Sequence, residues 1–91
     1  MPYNYKTSKN LDRILEKLFK KDKTIYEQTM KKINEVVNSP GVEHYKNLRY
    51  DLSAYKRVHI GHFVLVFKFN KLENTIEFSD FDHHDVIYKK K

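Results

Sequence analysis

The spacing of the apolar residues changes once along this chain, and that change most constrains what it can fold into. Up to Val37 the apolar residues recur at helical intervals, whereas after Asn38-Ser39-Pro40-Gly41 they alternate. A helix returns to the same face every 3.6 residues and a strand every 2.0, so the two parts must form different elements. Leu11, Ile14, Leu15, Leu18 and Phe19 fall on one helical stripe. Ser8 or Thr7 is placed to cap that helix by accepting from a free backbone N–H. Lys20, Lys21 and Lys23 put positive charge at its end, where the helix dipole is negative. Thr24 and Glu27 have capping-box spacing for a second helix, with a stripe of Tyr26, Met30, Ile33 and Val37 and with Thr29 and Val36 at its margin. Residues 3–7 (YNYKT) read as a short strand ahead of this helical hairpin.

Beyond Gly41 three alternating runs follow. In the first, Val58 and Ile60 lie on one face and Arg57 and His59 on the other. Gly61-His62 is a tight turn. The next run puts Phe63, Leu65, Phe67 and Phe69 on one face and Val64, Val66 and Lys68 on the other. After the polar turn Asn70–Asn74, Thr75 to Phe81 forms a third run with Ile76 and Phe78 on one face. Short links between three strands give an antiparallel meander. The helical stripes need an apolar partner, and the aromatic sheet face is the one available. The expectation is an α+β fold: an N-terminal strand and a helical hairpin packed on an antiparallel meander, in one domain over 1–91. The second sheet face, with Arg57 and His59, is expected to stay open to a ligand.

At 91 residues the chain can bury roughly 60–65% of its unfolded surface, a modest core. There is no cysteine, which excludes disulfides, thiolate metal sites and a cysteine nucleophile. The polar start MPYNYKTSKN has no secretory apolar run, and Phe63 to Phe67 is too short to cross a bilayer. A cytoplasmic protein with no membrane partner is expected. Eighteen Lys and Arg against twelve Asp and Glu leave a formal charge of +6, which favours phosphate backbones, acidic proteins or anionic membranes as partners. A solvated lysine-rich surface would account for the same charge.

Four of the five histidines come late: His59 and His62 flank Gly61, and His83-His84 precede Asp85. Tyr88 follows that pair by about one helical turn if the segment is helical. A meander would let His59 and His83 approach the same side of the sheet. Cutting RNA without a metal needs a base for the ribose 2′-OH, an acid for the leaving 5′ oxygen, and a cation on the phosphate. Histidine fits both proton roles because it titrates near neutrality. Arg57 can present two donors to phosphate oxygens in a fixed fork. Arg57, His59, His83 and Tyr88 would suffice for such chemistry, although a surface histidine or a packed tyrosine is the plainer reading of each alone. His83-His84-Asp85 has the residue types of a metal site, but neighbouring strand residues point to opposite faces, so no metal is expected there.

The whole chain resembles the RelE/ParE toxin superfamily. The resemblance lies in the order of elements and in three stretches: the helix end NSPGVE, then YKNLRYDLSAYKRVHIGHFVLVFKF, then FSDFDHHDVIYK. It leans towards the RNA-cleaving RelE and YafQ branches. Arg57 and His59 stand where RelE carries alternate basic residues before the glycine turn, His59 and His83 look like the two histidines of YafQ-type toxins, and Tyr88 corresponds to the C-terminal tyrosine. The resemblance implies a metal-independent, ribosome-dependent mRNA endonuclease with no cofactor, acting by 2′-OH transesterification and held by an acidic RelB-like antitoxin. Arg49, Lys56, His62 and His84 are the expected substrate-binding residues. In one departure, Val64 follows the aromatic where RelE has an arginine, and Arg57, Arg49 or His84 would have to supply that charge. A ParE-like gyrase poison and a non-catalytic RNA-binding module are the alternatives on the same scaffold.

Overall fold

A computed structural model describes residues 3–46 and 55–89. In chain order the elements are β1 (Asn4–Thr7), α1 (Lys9–Lys21), α2 (Lys23–Val37), a 3-10 turn at Val42–His44, β2 (Lys56–Ile60), β3 (Phe63–Asn70), β4 (Thr75–His83) and α3 (His84–Lys89). The strands form one sheet in the order β1-β4-β3-β2. β2, β3 and β4 are the antiparallel meander, and β1 joins its far edge parallel to β4. This is the α+β architecture that the change of period requires.

Ser8 caps α1: its Oγ accepts from Leu11 N and donates to the carbonyl of Ser79. Its own N–H donates to Phe78 O, so the start of α1 is tied to the middle of β4. At that point β4 bulges. Val66 pairs with Asp80 and Phe67 with Phe78, leaving Ser79 as the extra residue. The bulge explains why Ile76, Phe78 and Phe81 all reach the core although the last two are three residues apart.

The second helix starts differently from the capping-box expectation. Asp22 serves both helices, its N–H donating to Leu18 O and its carboxylate accepting from Ile25 N. Thr24 has no part in the cap. The buried stripe of α2 is Thr29, Ile33, Val36 and Val37, so Thr29 and Val36 are central while Tyr26 and Met30 lie at the margin. Thr29 can be central because its hydroxyl donates to Ile25 O and leaves no unpaired polar group.

Leu11 and the α2 stripe close over Leu65, Phe67, Ile76, Phe78 and Phe81 to make the core. The opposite face is not wholly open, contrary to expectation. Val64 and Val66 are buried there in a second, smaller cluster with Ile87 of α3, with Tyr55 packed against it. Six residues are too few to show a helical period in the sequence, so this covering element could not be read from spacing.

Candidate functional site

The second face is framed by β2 and α3. Cross-strand register places Arg57 opposite Val66 and His59 opposite Val64, so both polar side chains share the face on which Ile87 sits. In α3, His84 and Tyr88 are four residues apart and therefore lie on one side of the helix. The Arg57 guanidinium stands over the Tyr88 ring, 5.5 Å from its centroid. That contact bridges strand and helix and fixes the cation beside the phenol.

His59 is on the exposed side of β2. Its imidazole is held below its ordinary value by desolvation against the sheet, then by the charge of Arg57, then by that of His84. All three causes disfavour the protonated ring, so His59 is biased towards the neutral imidazole. That is the protonation state that proton abstraction requires.

The two adjacent histidines divide otherwise than the sequence suggests. His83 is the last residue of β4 and pairs with Phe63, whose ring belongs to the helix-side core. His83 is thus on the face opposite His59, and His84 is the histidine whose charge reaches His59. The rings of His83 and His84 nevertheless stack, with centroids 4.5 Å apart and planes at 29°. The alternation argument against such a meeting fails because the chain leaves the strand between these residues and turns into α3. His62, in the Gly61 turn, adjoins both rings at 6.1 and 6.3 Å, and its carbonyl accepts from His84 N at 2.9 Å. Asp85, which the sequence offers only as the third member of a metal-type trio set aside on alternation, places its carboxylate 3.1 Å from His84 Nδ1 and 3.7 Å from His83 Nδ1.

Two expected substrate ligands fall elsewhere. Lys56 pairs with the core residue Phe67, and its Nζ donates to the carbonyls of Glu43 and Tyr45. It anchors the 3-10 segment to β2 and does not share the face of Arg57. Arg49 lies outside the described residues. Val64, at the position of the missing arginine, is fully buried against Ile87. Among the described residues, the cation nearest that place on the second face is Arg57, two residues along the neighbouring strand.

A four-stranded sheet carrying a helical hairpin also occurs in solved toxin structures. The chain aligns with a structure of the toxin–antitoxin complex RelBE2 from Mycobacterium tuberculosis at a TM-score of 0.76 and 20% identity, over 91% of this chain and 99% of that one. It aligns with a mutant of the E. coli toxin RelE in the free state at a TM-score of 0.68 and 20% identity, over 94% of this chain and 87% of that one. Identity this low establishes the fold. Sequence similarity establishes the family. The chain is 49% identical over 90 residues, 98% of its length, to a Methanocaldococcus jannaschii protein named "Putative toxin RelE4", of which it covers 94%. It is also 41% identical over 87 residues to an uncharacterized protein of Methanosarcina mazei, covering 94% of this chain and 99% of that one. No family model matches the chain. The chain belongs to the RelE family of toxins.

Proposed function

We propose that this chain is the toxin of a toxin–antitoxin pair and that it cuts mRNA on the ribosome by 2′-OH transesterification. The observation that carries this reading is the meeting of Arg57, His59, His84 and Tyr88 on one face, with His59 biased towards the neutral imidazole. His59 takes the proton of the ribose 2′-OH, and the 2′ oxygen attacks phosphorus. The P–O5′ bond breaks to leave a 2′,3′-cyclic phosphate, and the 5′ oxygen receives a proton from His84 or Tyr88. Arg57 neutralises charge that develops on the phosphoryl oxygens. His83 has an orienting part, its ring stacked on His84. Surrounding rRNA supplies the orientation that so open a site lacks.

The reaction needs no metal. The test is cleavage of mRNA on programmed ribosomes by protein first treated with EDTA, with gyrase supercoiling measured alongside. Cleavage leaving a cyclic phosphate, with gyrase untouched, is the expected result. Gyrase inhibition without cleavage would replace this reading by the ParE-like one.

The partner in this reading is an acidic antitoxin of the RelB kind. Its support is the +6 charge of the chain and the complexes among its structural neighbours, one of them a mutant E. coli RelE with a RelB peptide. Action in the cytoplasm, where ribosomes are, belongs to the same reading. Among the described residues no helix is long and apolar enough to cross a membrane.

A further inference from the structure

We propose that His83, His84 and Asp85, with His62 beside them, form a binding site for a divalent transition-metal ion of the zinc type. One ligand atom from each of the first three lies within 4.8 Å of the others. The Asp85 carboxylate stands between the two Nδ1 atoms, at 3.7 and 3.1 Å. Two imidazole nitrogens and a carboxylate that converge in this way are satisfied by shared protons or by one cation. Around tetrahedral zinc, with bonds of about 2.0–2.1 Å to nitrogen and oxygen, donor atoms lie about 3.3 Å apart. Rotation of these partly exposed side chains closes the difference. A donor set rich in imidazole selects ions such as Zn²⁺ over Mg²⁺, which prefers oxygen alone.

The backbone behind the cluster is fixed at three points. His84 N donates to His62 O, His83 N to Asp82 Oδ1, and Asp85 N to His83 Nδ1 at 3.3 Å. The last bond puts the lone pair of His83 on the nitrogen that faces Asp85, and a metal ion would take its place. His62 reaches the cluster from the neighbouring turn and supplies a fourth donor or closes one side.

An ion held here removes His84 from proton transfer, so added Zn²⁺ would slow RNA cleavage and chelation would restore it. That consequence rests on the nuclease reading; the site itself does not. The direct test is titration of the full chain, free of any histidine tag, with Zn²⁺ against a chromophoric chelator. One ion per chain is expected, unaffected by excess Mg²⁺. His84→Ala and Asp85→Ala should each weaken binding about tenfold or more, while His44→Ala binds as the parent does. Paramagnetic Ni²⁺ should broaden the ring resonances of His83 and His84 and leave those of His44 sharp, which needs no variant. Parental binding that survives both substitutions, no binding by the parent, or equal broadening of His44 overturns the site. Because binding is read without ribosomes, a protein that binds zinc and cuts no RNA would contradict only the nuclease reading.

Discussion

Beneath the helices, Leu65, Phe67, Ile76, Phe78 and Phe81 are sealed by elements of 13 and 15 residues; on the other face Val64 and Val66 are closed by Ile87 of a helix of six. Alternate residues of one strand, β3, therefore serve two unequal cores. The large core holds the sheet together, and the small one seats α3 so that His84 and Tyr88 stand beside Arg57 and His59. On the proposed function, stability and chemistry are thereby separated across one layer of backbone, and substitutions on the two sides should have different consequences.

The largest effect on folding belongs to the helix side. Phe67→Ala empties a fully buried site and should cost about 3–5 kcal/mol in denaturant unfolding, enough to unfold much of a small domain. Ile87→Ala should cost about 2 kcal/mol, at the low end for such truncations, because α3 can lift while the sheet remains. It should lower cleavage more than its stability loss explains, and amide exchange in α3 should rise selectively. Equal exchange throughout the chain would show that the two cores are one cooperative unit. Gly61→Ala is smaller again, about 1 kcal/mol, since φ is +61° there, although nothing lies within 4 Å of an added Cβ. The smallest effect is electrostatic. Arg57→Ala removes one of the charges that depress His59, so the imidazole should titrate closer to its ordinary value when followed by NMR. With the folded value depressed, the unfolded chain takes up the proton first as the solution is acidified. His59 therefore contributes stability that is complete above the ordinary imidazole value and is lost as pH falls through the folded one.

The helix side was legible in the sequence because its signals repeat. Leu11, Ile14, Leu15 and Leu18, then Leu65, Phe67 and Phe69, declare their faces by spacing alone. Where details differ, a local bond decides: Asp22 outcompetes Thr24 as the cap, and the hydroxyl of Thr29 finds a carbonyl and so can be buried. On the second face Arg57 and His59 share one side of β2, as alternation in a short regular strand requires. The end of the chain was not legible. His83 and His84 are strand neighbours by sequence and a stacked pair in space, because a change from strand to helix falls between them. The bulge at Ser79 puts His83 on the face opposite His59, and the junction brings Asp85 against both rings.

The central claim is that the face of β2 and α3 carries the chemistry without carrying the fold. It is tested most directly by cleavage on programmed ribosomes with His59→Ala and Tyr88→Phe, each checked for unfolding midpoint. General acid–base groups are typically worth about 10²–10⁴-fold, and both variants should lose rate by that order. Both positions are exposed, so each variant should stay within about 0.5 kcal/mol of parental stability. Near-parental cleavage by both variants, with both fully folded, would contradict the account and leave a basic binding domain in its place.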